Sequence, residues 1–214
     1  MTPNGRFDKP SGLNSDLKVF FLGSLRSLTV TASLFPSSRF LASALLRPID
    51  FGSAATIVEL GIGTGAITRE ILHRMGRRCR LYALDINPAF ISHVRARIQD
   101  PRLVTIAGEA ERLTSILARR GVRRVDAIVS SLGLTSMETE QRSSIIGQAA
   151  SLLSSTGVLT QFQYLHAGAV PHWLTAGCLP RFSEPRFLRE YFRQVWSETV
   201  LRNVPPASVY TCRI

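Results

Sequence analysis

From residue 55 onward the chain alternates short apolar, β-branched runs with stretches of helical periodicity, and its first changeover carries three closely spaced glycines. "ATIVEL" (55–60) reads as a buried strand, 64–76 as a helix, "CRLYALDI" (79–86) as a second strand and "AFISHVRARI" (89–98) as a helix. "LVTIAG" (103–108) and "VDAIVSS" (125–131) supply a third and a fourth strand around a helix over 110–121. A helix over 138–154 then leads to a fifth strand, "GVLTQFQYL" (157–165). Repeats of this kind predict an α/β fold, a parallel sheet with helices on both faces. The last stretch differs: "RQVWSETVLRNVPPASVYTCRI" (193–214) reads as strand, Asn-Val-Pro-Pro turn, strand, an antiparallel hairpin closing the sheet edge.

Upstream, residues 1–16 read as a flexible polar tail. From Leu17 to Phe35 apolar residues recur at three- and four-residue steps (Leu17, Phe21, Leu25, Leu28, Ala32), with Lys18 and Arg26 off the stripe. Such an amphipathic helix packs on a domain or lies in a bilayer interface with its basic residues toward headgroups. After Pro36, Ser37 or Ser38 is placed to cap a further helix through Leu46, a serine oxygen accepting from an orphan amide of the first turn. The expected organisation is a tail (1–16), a helical extension (17–50) and one α/β domain (51–214). The run 143–180 has no Lys, Arg, Asp or Glu. It is broken by Gly157, Gln161, Gln163, His166, Pro171 and His172, so it reads as a buried helix, a central strand and an apolar loop rather than a membrane span.

The glycines point to a ligand. A strand followed by Gly61-x-Gly63-x-Gly65 and a helix lets the backbone bend sharply and bring its amides close to a bound group. Gly61, Gly63 and Ala66 also satisfy the dinucleotide pattern, and Asp85, at the end of the second strand, suits the ribose hydroxyls of either a nicotinamide dinucleotide or an adenosyl sulfonium. Glu59 favours the second: a carboxylate two residues before the turn repels a pyrophosphate but suits a sulfonium and an ammonium.

"VELGIGTG" here resembles motif I of the class I S-adenosylmethionine-dependent methyltransferases, with "ALDIN" (83–87) as motif II. "GEA" (108–110) sits where that family commonly has Gly-Asp-Ala, whose acid contacts the adenine amine. "SSLGLTS" (130–136) lacks the Asn and aromatic of the ribosomal RNA adenine dimethyltransferases; it resembles the Ser-Gly-Leu-Pro-Leu loop of bacterial phospholipid N-methyltransferases, with Gly133 in place of the proline. "PSSRFLA" (36–42) and "NVPPASVY" (203–210) resemble two further motifs of those lipid enzymes, so the likeness runs from about residue 17 to the C-terminus.

The resemblance implies a Rossmann-like fold with a mostly parallel seven-stranded sheet, and methylation of the amine of phosphatidylethanolamine toward phosphatidylcholine. It implies a cofactor site for S-adenosylmethionine at Glu59, Gly61, Gly63, Thr64, Gly65, Asp85, Ile86, Glu109, Ala110 and Ser130. Substrate would meet Ser38, Arg39, Ser131 and Leu132, with Arg39 pairing the headgroup phosphate. A primary ammonium must lose a proton before it attacks, and Tyr164 or His166 is the expected base.

Lys plus Arg number 26 against 15 Asp plus Glu, a net charge of +11, and the basic residues are nearly all arginine. This surplus suits an anionic partner. It is expected to hold the protein on the inner leaflet of the cytoplasmic membrane, through residues 17–35, by about 1 kcal/mol per basic residue near the surface. It equally suits RNA, which makes an RNA adenine N-methyltransferase the rival reading, and a non-catalytic S-adenosylmethionine- or lipid-binding protein is the rival from another class. Three widely spaced cysteines, Cys79, Cys178 and Cys212, indicate neither a disulfide framework nor a metal cluster. No signal peptide is read at the start, and a cytoplasmic setting is expected.

Overall fold

The computed structural model describes residues 39–165, 183–203 and 205–214. The tail, the 17–35 helix, Ser38, His166 and His172 lie outside them.

Seven strands form one sheet: β1 (Thr56–Leu60), β2 (Arg80–Asp85), β3 (Leu103–Ala107), β4 (Val125–Ser130), β5 (Leu153–Tyr164), β6 (Gln194–Val200) and β7 (Ala207–Arg213). Their order is β3-β2-β1-β4-β5-β7-β6. The first five are parallel, and β7 runs antiparallel to both β5 and β6. The expected mostly parallel sheet with a C-terminal hairpin is therefore what forms, with the later strand of the hairpin inside. Burial explains that order: β7 buries Ala207, Val209, Tyr210 and Cys212, whereas every residue of β6 keeps some exposure and suits an edge.

The helices are α1 (Arg39–Leu46), α2 (Ala66–Arg74), α3 (Pro88–Arg97), α4 (Leu113–Ala118), α5 (Thr139–Leu152) and α6 (Glu184–Leu188). Asn87 starts α3 because its side chain accepts from the Ala89 amide at 2.9 Å and Pro88 fills the first helical position, where no amide bond is needed. The far end of α2 is closed from outside. Arg102, paired to Asp100 at 2.7 Å, donates to the carbonyls of Leu72 and Met75 at 2.9 and 2.8 Å.

Side chains alternate across the strands, so each face buries its own set. Val58, Leu60, Leu84, Ile106, Ile128 and Leu159 pack against α4, α5 and α6. Ile57, Leu81, Ala83, Ala127, Val129 and Val158 are buried on the other face. The helix α1 contacts β5, β6 and β7, joining the compact unit that begins at Pro36 although it was grouped above with the extension.

Two elements differ from expectation in detail. The fifth strand begins at Leu153, because Leu153 pairs with Val125 before the register shifts, and Val158 then pairs with Ala127. The expected helix over 110–121 is a 3-10 turn (Ala110–Arg112) followed by the short α4, and the chain turns out at Gly121 with φ 75°.

Candidate active site

The carboxyl ends of β1, β2 and β4 meet at the glycine turn. Gly61 (φ 80°) donates to the Leu84 carbonyl at 2.8 Å, and Gly65 donates to the Ile62 carbonyl at 2.9 Å. Gly65 is the N-cap of α2 with φ 79°, and a Cβ there would stand 3.0 Å from Val94 and 3.2 Å from Ile98. Its backbone conformation and the close approach of α3 both require glycine. Gly63 differs: its φ is 50°, yet nothing lies within 4 Å of where a Cβ would be. The loop is thus packed from below at Gly65 and open above at Gly63.

Asp85 fixes this opening. Its carboxylate accepts from the Gly63 amide at 3.0 Å and from the Asn87 amide at 2.8 Å, tying the loop after β1 to the loop after β2. Burial raises its pKa and these bonds oppose the rise. Beside it Ile86 is 69 % exposed, an apolar side chain at the rim of the turn. Thr64 is half-buried in the turn.

Glu59 does not reach into the opening. Fully buried beneath the loop, it accepts from the Thr68 hydroxyl at 2.8 Å, while its Oε1 has no hydrogen-bond partner. Burial, opposed by the Thr68 bond and helped by the Asp85 charge, pushes its pKa up to about 8. A buried carboxyl with a free acceptor oxygen, and with the Asp85 carboxylate close by, favours a cation above the turn.

The loop after β4 closes the other side. Ser131 donates its amide to the Leu60 carbonyl at 2.8 Å, and Leu132 and Ser131 are the nearest groups to a Cβ at Gly61, at 3.3 and 3.5 Å. Ser130 is buried, its hydroxyl 3.4 Å from the Leu132 amide. Gly133 has φ −80° and ψ 74°, and Leu134 donates to the Leu132 carbonyl across it at 3.0 Å, an inverse γ-turn. That φ is one a proline adopts, so the loop keeps the shape a proline at this position would impose.

Glu109 and Ala110 follow β3, where the Gly108 amide donates to the Asp85 carbonyl at 3.0 Å. Glu109 is exposed and pairs with Arg112 at 3.1 Å, while Ala110 opens the 3-10 turn. Tyr164 ends β5, buried edge-on against Phe162 with ring centroids 5.2 Å apart. Burial raises its phenol above the ordinary value. Arg39 opens α1, its guanidinium 5.0 Å from the Phe40 ring centre.

So Glu59, Gly61, Gly63, Gly65, Asp85, Ser131 and Leu132 converge on one turn, while Tyr164 and Arg39 stand apart from it on the β5–β7 side. Two residues of that side were not singled out from sequence. Gln161, buried in β5, donates to the Leu132 carbonyl at 2.8 Å and so holds the β4 loop, leaving its own Oε1 without a hydrogen bond. A glutamine within an apolar strand was a visible signal. Glu184, first residue of α6, is 1 % exposed, and neither carboxyl oxygen has a hydrogen-bond partner. Burial pushes its pKa up to about 8. Ser before it and Pro after it read as an ordinary exposed helix start, so nothing in the sequence marks its burial.

Among the described residues no cluster of ligating side chains could hold a metal ion. An adenosyl sulfonium fits: the space over Gly63, the unpartnered Glu59 oxygen below, the Asp85 carboxylate and the exposed Ile86 match its charge, hydroxyls and flat apolar base.

Comparison with known proteins agrees. Residues 57–157 match the family described as a methyltransferase domain. An ornithine lipid N-methyltransferase of Singulisphaera acidiphila is 32 % identical over 195 residues, 90 % of this chain and 94 % of that protein. A ribosomal RNA small subunit methyltransferase H of Thiobacillus denitrificans is 39 % identical over 100 residues, 47 % of this chain and 32 % of that protein. The N-methyltransferase NodS of Bradyrhizobium japonicum, solved with S-adenosyl-L-homocysteine, superposes with a TM-score of 0.62 at 15 % identity, covering 91 % of this chain and 96 % of its own.

Proposed function

The chain belongs to the class I S-adenosylmethionine-dependent methyltransferases, and from that premise we propose that it methylates the amine nitrogen of a membrane aminolipid, phosphatidylethanolamine and its mono- and dimethyl derivatives, toward phosphatidylcholine. What carries the reading is the reach of the likeness to the lipid N-methyltransferase, 90 % of the chain, against 47 % for the ribosomal RNA enzyme. A shared glycine turn alone would give the second kind of match.

When bound, S-adenosylmethionine supplies an electrophilic methyl group on a sulfonium sulfur. The turn at Gly61, Gly63 and Gly65 would receive it against backbone, Asp85 would accept from the ribose hydroxyls, and Ile86 would offer an apolar contact to the base. The Glu59 carboxyl, whose pKa burial pushes up to about 8, would ionise more readily were a cation held above the turn. Alignment in a dry site accounts for much of the acceleration of such a displacement. Ser131, Leu132 and the Gln161 side chain that holds them form the wall on the acceptor side.

The ammonium of the lipid must surrender a proton, and His166, the other expected base, would take it. Tyr164, a phenol whose pKa burial pushes further above its ordinary value, would orient the amine through its oxygen. Arg39 pairs with the anionic group of the headgroup. The protein works at the inner leaflet of the cytoplasmic membrane, with residues 17–35 in the interface.

The test is transfer of radiolabelled methyl groups to lipid. Purified protein is given labelled S-adenosylmethionine and vesicles holding either phosphatidylethanolamine or ornithine lipid, and the extracted lipids are separated. Label in methylated phosphatidylethanolamine is the expected result. Label only in ornithine lipid changes the acceptor, and label in neither, from protein that binds the cofactor, overturns the lipid reading.

A further inference from the structure

Beyond the last paired row of the C-terminal strands lies a rim of which the site above uses Arg39 but not Arg202, Leu165 or Leu201. Tyr164, Ala207 and Val200 stand opposite one another, and Leu165, Leu201 and Arg202 follow immediately. The Leu165 amide donates to the Pro206 carbonyl at 2.9 Å, which ties the end of β5 to the turn between β6 and β7. Leu165 is 41 % exposed and Leu201 is 73 % exposed. The Arg202 guanidinium stands 5.5 Å from the Phe40 ring centre, and Arg39 stands 5.0 Å from the same ring.

Neither arginine has an ion-pair partner among the described residues. Further along α1 the arrangement is different: just past the helix end Arg47 pairs with Glu198 of β6. Among the described residues, therefore, a carboxylate meets one end of this packing and none meets the other. Two guanidiniums on one ring repel each other until an anion arrives, and two exposed leucines beside them gain from an apolar surround. An anionic bilayer surface offers both at once, whereas RNA offers phosphates and no place for the leucines.

We propose that Leu165 and Leu201, with Arg39 and Arg202, form the surface by which this domain seats on an anionic lipid bilayer. The leucines enter the interface and the guanidiniums meet lipid phosphates. Because β5 and β6 run parallel to β1, the rim lies at the same edge of the sheet as the glycine turn, so seating there turns the site toward the lipid. The inference rests on the aminolipid reading of that site.

The experiment is co-sedimentation of the full chain with phosphatidylcholine vesicles, with and without phosphatidylglycerol. It compares Arg202→Glu and Leu201→Asp with Arg119→Glu, an exposed position at the end of α4 that matches the charge change. Arg202→Glu is expected to weaken binding to the anionic vesicles about tenfold or more, and Leu201→Asp several-fold, while Arg119→Glu changes it less than about twofold. Affinity for S-adenosylhomocysteine, read by calorimetry, stays as in the parent for all three. Equal losses for Arg202→Glu and Arg119→Glu would reduce the effect to net charge and overturn the proposal, as would loss of RNA binding with vesicle binding intact. Methyl transfer to detergent-dispersed lipid is measured in parallel. Transfer with undiminished vesicle binding by Arg202→Glu sinks the rim alone, and absent transfer with the expected vesicle losses sinks the aminolipid reading alone.

Discussion

The two halves of the sheet edge are built on different principles. Around β1 and β2 the ligand-facing surface is backbone, held by Gly61, Gly63 and Gly65 and by the bonds of one carboxylate, Asp85. Around β5, β6 and β7 it is side chains: Gln161 on a carbonyl, Tyr164 on Phe162, two arginines on Phe40. The first half is fixed by backbone conformation, most tightly at Gly65. Each half leaves buried acceptors without hydrogen bonds, Glu59 in the first and Gln161 and Glu184 in the second, a cost that a packed core ordinarily avoids.

The contrast is broken most severely at Gly65. Valine there faces both the left-handed φ and the approach of Val94 at 3.0 Å, so Gly65→Val should cost about 3 kcal/mol or more, read as a fall in the denaturation midpoint. A fall below about 1 kcal/mol would show that α3 is not closely packed on the turn. Asp85→Ala comes next. It removes the acceptor of two amides and should weaken S-adenosylhomocysteine binding about a hundredfold by calorimetry, with a smaller loss of stability.

On the other half, Glu184→Gln should stabilise the protein near pH 8. The folded carboxyl binds its proton up to about pH 8 and the unfolded one only to about 4.5. Folding stability is thus largest at the acid side, falls as pH rises between those values by up to about 1.4 kcal/mol per pH unit for the group, and levels off above. Thermal melts across that range should show a shallower decline in the variant; identical slopes would mean that Glu184 does not carry the penalty. Smallest is Gly133→Pro, where φ is already −80° and no bond from the Gly133 amide is seen: a gain of about 0.4–1 kcal/mol in chemical denaturation. A loss would show that the γ-turn needs glycine.

Much of this was legible beforehand. The strand–helix alternation, the hairpin and the glycine turn with Asp85 depend on local rules: periodicity, turn residues and a spacing that one strand–turn–helix unit satisfies by itself. Gly133 looked like a departure from the resembled loop, and the backbone shows why it changes little. Glu184 was not legible, because an acid before a proline at a helix start is ordinarily exposed, and only the packing of α6 beside Tyr210 and Cys212 buries it. The pairing of Arg39 with Arg202 was equally hidden, since 163 positions separate them.

The sequence by itself determined the architecture and the class of cofactor, because both follow from residues close together in the chain. Tertiary structure alone decided that β7 lies inside β6, that Glu59 lies beneath the loop rather than in it, and that Phe40 gathers two arginines at the sheet's edge. Each of those depends on which distant surfaces exclude water together, and burial is a property of the assembled fold, not of any segment in it.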